Sequence, residues 1–179
     1  MISTSHMTEA KKILVLGLGN DCLGDDAVGL KVVRELRRQK TIVKDADVLE
    51  TGAAGMILLD LMAGYRALIL IDAIQTGDGK PGRIYRLTED DLPAASGPSE
   101  VIPWSVHHMG LRGILETGRR AGGDLPDTVI VYAIETEISR EWRRGCGQEV
   151  ERAIPEVVRR VTGELHSLAF SALEEKGPR

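Results

Sequence analysis

The chain has 179 residues, enough for one compact domain. Its 42% hydrophobic and 28% charged residues give ordinary globular composition and exclude a disordered chain. The 23 Lys and Arg against 27 Asp and Glu leave a net charge of −4, which disfavours a protein that binds nucleic acid by neutralising phosphates, and the few scattered aromatics make no base-stacking platform. Cys22 and Cys146 form no CxxC pair and no disulfide framework. No apolar run is long enough for a membrane span, and Met1–Lys12 has no signal-peptide core, so the expected location is the cytoplasm. Residues 1–10 are polar and are read as a frayed or cloning-derived end, with one domain over residues 11–174.

In chain order, Lys12–Leu18 is a short apolar run ended by Gly19 and Asn20, as expected of a buried strand. Asp25–Gln39 reads as a helix with two acids in its first turn and basic residues at its end. Asp47–Glu50 is a second strand, and Ala53–Ala63 a helix stopped by Gly64. Ala67–Ile71 is a continuous apolar strand ending in Asp72, and Arg83–Leu87 an edge strand. Asp91–Pro103 is a proline-rich loop. Ser105 is placed as the N-cap of a helix running to about Arg120, with Leu111, Ile114, Leu115 and Gly118 on one face. Thr128–Ile134 is another buried strand. Gln148–Leu173 carries Val150, Ile154, Val157, Val161, Leu165 and Leu168 at helical spacing, with Pro155 as a kink or a fresh start. Alternating strands and helices with fully apolar strands predict a single α/β domain: a largely parallel, twisted sheet covered by helices on both faces.

Ligands of such sheets bind beyond the C-terminal strand ends, where strand order reverses. The residues expected there are Gly17–Asn20 with Asp25 and Asp26, then Glu50, Thr51 and Gly52, then Asp72, then His107 and His108, and finally Glu135 and Glu137. A dinucleotide reading draws on Gly17 and Gly19 after one strand and Glu50 after the next. It fails at the third glycine, where Cys22 stands, and at Asp25 and Asp26, which oppose a pyrophosphate. One acid within ~5 Å of a phosphate charge costs about 3 kcal/mol at an effective dielectric near 20. A metal reading combines a carboxylate from the first loop, one from the third strand end and an imidazole from a helix start. Two oxygens and one nitrogen suit Ni²⁺ or Zn²⁺ better than Mg²⁺ or Ca²⁺. The plainer readings are that Asp25 and Asp26 serve the helix dipole, that Asp72 closes a strand, and that a histidine fills an interface.

Five segments together carry a family resemblance: Ile13–Asn20 (ILVLGLGN), Gly24–Gly29 (GDDAVG), Thr51–Met56 (TGAAGM), Leu70–Ile74 (LIDAI) and Ser105–Gly110 (SVHHMG). In order and spacing the chain resembles the hydrogenase maturation endopeptidases, which trim a C-terminal extension from the large subunit of NiFe hydrogenases. The resemblance implies a single α/β sandwich with a five-stranded sheet. It also implies metal-contacting and catalytic side chains at Asp26, Asp72 and His107, with the shorter acid at a position that varies between Glu and Asp. Nickel then arrives with the substrate, the nickel-loaded large-subunit precursor, and the enzyme is expected to be monomeric. Two chemical schemes remain open, a metal-polarised carbonyl or water and an acid–base pair of aspartates. A non-catalytic nickel-sensing chaperone with the same ligands and a nucleotide-binding domain are the alternatives.

The adjacent histidines are separated by helical phase. With Ser105 as cap they lie about 100° apart. His107 falls 4, 7, 8 and 11 residues before Leu111, Ile114, Leu115 and Gly118, on the buried stripe, and His108 falls at its margin.

Overall fold

The computed structural model describes residues 12–39, 46–93, 110–137, 142 and 144–174. Five strands form one sheet: β1 (Ile13–Leu18), β2 (Ala46–Thr51), β3 (Ala67–Ile74), β4 (Ile84–Thr88) and β5 (Thr128–Glu135). Their order is β2-β1-β3-β5-β4; β1 pairs in parallel with β2 and β3, β3 in parallel with β5, and β4 lies antiparallel on β5. Among the described residues four α-helices pack on the sheet: α1 (Val28–Arg38), α2 (Ile57–Met62), α3 (Leu111–Arg120) and α4 (Gln148–Glu174).

The period-2 alternation of the strands divides the core in two. Ile13, Val15, Ile69, Ile71, Ile130 and Tyr132 meet α1 and α4 through Val28, Val33, Val150, Val157 and Val161. Leu14, Leu16, Leu68, Leu70, Val129 and Val131 meet α2 and α3 through Leu58, Met62, Leu111 and Leu115. Each central strand is apolar on both faces, which is why β1 and β3 read as continuous hydrophobic runs.

Glycines set the spacing between α1 and the sheet. A Cβ on Gly29 would lie 2.3 Å from the Leu18 carbonyl oxygen and 2.4 Å from that of Ile71. A Cβ on Gly17 would lie 2.4 Å from the Gly29 carbonyl oxygen. The first turn of α1 therefore rests directly on the backbone of β1 and β3, a closeness that only glycine permits.

Four expectations change. The helix expected from Asp25 opens with a 3₁₀ turn, Gly24–Ala27, so both acids precede α1. The helix expected from Ala53 begins only at Ile57 and leaves Met56 and Ile57 exposed. β3 runs on through Asp72 to Ile74, because β5 continues to pair with it as far as Ile74↔Glu135. α3 begins at Leu111 after Gly110, whose φ of 103° is left-handed and ends any helix arriving from upstream. The buried face of α3 is the expected one, Leu111, Ile114, Leu115 and Gly118. The helical phase that separated His107 from His108 has no basis, since both precede that break. Pro155 neither ends nor restarts α4, which is one helix through it.

Candidate active site

The chain leaves β1 through α1 to β2 on one side, and β3 lands on the other side of β1. The switch point of the sheet is therefore between β1 and β3. Pairing of β1 with β3 stops at Gly17↔Ile71, one residue short of Asp72. Beyond it the chain leaves β1 through a loop that runs from Gly19 to the 3₁₀ turn Gly24–Ala27.

That loop is folded tightly. The Asn20 side chain accepts the Cys22 N–H at 2.9 Å, and the Asn20 carbonyl accepts the Leu23 N–H at 3.1 Å. Gly19 has φ 143°, and a Cβ there would lie 1.9 Å from the Asp26 carbonyl oxygen, so the GxGN segment is built for this fold rather than for a phosphate. Gly19, Asn20, Asp21, Leu23, Asp26, Leu30 and Gly52 line an open cleft of about 490 Å³.

Asp26 thus stands in the cleft wall, partly buried. Asp72 is fully buried on β3 and accepts the Ala73 N–H at 2.8 Å. It does not itself line the cleft. The Gly29–Ile71 contact ties the two together, because it fixes the turn that carries Asp26 against the strand residue directly before Asp72. The third expected side chain, His107, lies outside the described residues, as do His108 and Ser105. Asp72 belongs to the sheet face covered by α2 and α3, and the segment holding His107 leads into α3.

The other acids of this edge have structural work. Asp25, 7% exposed, accepts the Gly147 N–H at the head of α4. Glu50 lies within β2 and is held by Arg34 at 2.7 Å and Arg37 at 3.2 Å. Arg34 also grips Asp21 with two bonds of 2.7 Å, and its guanidinium holds the Asp21 carboxyl below the ordinary carboxylate range. This Asp21–Arg34–Glu50 bridge at the rim was not foreseen, since its members are 13 and 16 residues apart and carry no local pattern. Glu135 is 1% exposed and accepts bonds from the Thr76 N–H at 2.8 Å, the Thr76 hydroxyl at 2.9 Å and the Tyr85 hydroxyl at 3.0 Å.

Among the described residues no three His, Cys, Asp or Glu side chains converge as a metal site. The candidate donors among them, Asp26 and Asp72, are carboxylates, oxygen ligands that a divalent ion accepts. A nucleotide fits poorly, because Glu50 is occupied by two arginines and the α1 entrance carries acids.

The fold and this edge define a class: a doubly wound α/β domain whose cleft, beyond the C-terminal end of β1, carries acids and not a phosphate-binding loop. The chain belongs to the hydrogenase maturation protease family, whose HycI profile matches residues 30–164. It is 31% identical over 162 residues to the hydrogenase 2 maturation protease of Escherichia coli K12, covering 90% of this chain and 95% of that one. Its fold matches the solved structure of the hydrogenase maturating endopeptidase HybD from E. coli with a TM-score of 0.69 and 30% identity, covering 93% and 94% of the two chains. The NiFe hydrogenase maturation protease HybD from Thermococcus kodakarensis shares the fold at a TM-score of 0.66 and 22% identity, over 86% of this chain and 99% of that one. Among the described residues no helix is long and apolar enough to cross a membrane.

Proposed function

We propose that this protein is the endopeptidase that removes the C-terminal extension of a nickel-loaded NiFe hydrogenase large-subunit precursor in the cytoplasm, acting as a monomer. The observation that carries the reading is the pair Asp26 and Asp72 at the switch point, one in the cleft wall and one buried beside it, in a chain of the maturation protease family. Nickel belongs to the substrate. Asp26, Asp72 and His107 are the residues that would hold it while the scissile bond is presented. When bound, such an ion supplies Lewis-acid polarisation of the carbonyl or of an attacking water.

The chain's own residues carry the rest. Asp26 meets the precursor in the cleft. Asp72 is removed from solvent on β3. In the acid–base scheme one of the two carboxyls takes a proton from the attacking water while the other gives one to the leaving amine. No serine or cysteine with an adjacent base competes for the role among the described residues; Cys22 sits in the loop turn, and Cys146 faces the Gly24 carbonyl.

The test is to incubate purified protein with nickel-loaded and with metal-free precursor and to weigh both products by mass spectrometry. Loss of the C-terminal extension from the nickel-loaded precursor alone is the expected result. An uncut nickel-loaded precursor removes the protease reading and leaves a nickel-sensing chaperone. Equal cleavage of both precursors shows that the substrate's nickel plays no part.

A further inference from the structure

The two adjacent acids of the 3₁₀ turn go separate ways. Asp26 faces the cleft. Asp25 is buried and accepts the Gly147 N–H, and the Cys146 thiol donates to the Gly24 carbonyl at 3.6 Å. Two successive residues before α4 therefore hold the two residues before Asp26. One helical turn further on, Lys31 of α1 pairs with Glu151 of α4.

The turn needs such a hold. It is four residues long, its N-cap Leu23 offers no side-chain cap, and its entry bond from the Asp26 N–H to the Leu23 carbonyl is 3.2 Å. Short 3₁₀ turns have poor hydrogen-bond geometry and take their stability from what they pack against. The head of α4, a 27-residue helix, is a rigid and electrostatically favourable partner for a carboxylate.

We propose that Asp25 is a positioning residue: by accepting the Gly147 N–H, its carboxylate locks the turn that aims Asp26 into the cleft. The proposal rests on the reading above, in which Asp26 acts on the precursor. It makes α4, which contributes no residue to the reaction, part of the geometry of the site.

The test compares steady-state cleavage of nickel-loaded precursor by wild type, Asp25→Ala, Asp25→Asn, Gly147→Pro and Asp26→Asn, below the Tm of every variant. Asp25→Ala is expected to lower kcat by about 100-fold with KM little changed, the size of loss that a misplacement near 1 Å produces. Asp25→Asn keeps an acceptor oxygen and should keep kcat within about tenfold of wild type. Gly147→Pro removes the N–H and leaves the carboxylate, at a position just before the first turn of α4, where proline is best tolerated in a helix. It should match Asp25→Ala, and the double variant should be no worse than either single one.

Wild-type kcat in Asp25→Ala or in Gly147→Pro overturns the proposal. So does an Asp25→Asn as inactive as Asp26→Asn, which would give Asp25 a direct role. If Asp25→Ala does not fold, Gly147→Pro and Asp25→Asn decide the matter. Wild-type cleavage by Asp26→Asn is a different failure: it removes the reading of the reaction, and the positioning role with it.

Discussion

Asp72 and Glu135 stand two rungs apart on neighbouring strands, on the same face of the sheet, and both are shielded from solvent (0% and 1% exposed). Their surroundings differ because the sheet treats their strands differently. β3 and β5 stay paired to Ile74↔Glu135, and Thr136 extends the seam by donating its N–H to the Ile74 carbonyl at 2.9 Å. On that side Glu135 is wrapped by Thr76 and Tyr85, and a Cβ on Gly79 would lie 2.2 Å from its carboxylate. On the other side of β3 the pairing with β1 has already ended at Gly17↔Ile71, and the open cleft lies beyond β1, between the loop after β1, Leu30 and Gly52. A buried acid at a sheet's C-terminal edge is thus not by itself a mark of chemistry. The connection that departs from the neighbouring strand decides whether the edge there stays open or closes into a knot of hydrogen bonds.

The contrast can be broken most directly at the acids. Asp72→Asn and Asp26→Ala are each expected to lower precursor cleavage by at least about 10³-fold, with far-UV circular dichroism unchanged. Glu135→Gln should leave kcat/KM near wild type and cost about 1–3 kcal/mol of stability in urea unfolding, because one oxygen of a saturated acceptor becomes a donor facing donors. Cleavage lost in Glu135→Gln as fully as in Asp72→Asn would erase the distinction.

Gly29→Ala sharpens the other side of the comparison. Its methyl meets two backbone carbonyls of adjacent strands, so the first turn of α1 must lift off the sheet. The expected cost is about 1–3 kcal/mol, with a fall in kcat that Gly163→Ala, on α4 with open space for a Cβ, does not share.

The smallest effect is far from the cleft. Glu164 on α4 is bonded by Arg86 at 2.8 Å and by the Tyr132 hydroxyl at 3.1 Å, and Arg86 in particular holds its carboxyl below the ordinary value of 4.5. A carboxyl depressed in the folded state stabilises fully above its unfolded pKa, and that stability is lost as pH falls below 4.5 toward the folded value. Glu164→Gln should therefore cost about 0.5–1 kcal/mol at pH 7 and progressively less as pH falls below 4.5, read from Tm against pH.

Histidine provides a separate check. His107→Gln should lose cleavage and His108→Gln keep it, with an inactive His108 variant beside an active His107 variant reversing the assignment. Only the family resemblance supports this choice, since Gly110 interrupts the helix on which the phase argument depended.

The sheet was legible because parallel strands buried on both faces must be apolar throughout, and ILVLGL and ALILI are. The same logic misjudged β3: an aspartate inside a doubly buried strand breaks the pattern that defines one, so Asp72 read as a terminator. The 3₁₀ turn was hidden because two acids before an apolar periodicity are the ordinary start of an α-helix. Ser105 looked like a cap, yet nothing local announces that Gly110 turns left-handed. Asp26 and Asp72 were legible as edge acids. The structural ties of Asp25, Glu50 and Glu135 lay in partners 13 to 122 residues away, which no local spacing encodes.

α4 has one more consequence. Its head touches the turn beside the cleft, while near its other end the Leu168 carbonyl accepts a bond from Arg66, the residue before β3. At 27 residues it spans ~40 Å, against ~26 Å for an eight-residue strand. The last turns, with Phe170 exposed, stand at the face of the domain opposite the cleft. They offer a natural handle: protein immobilised through this end of the rod presents its cleft outward.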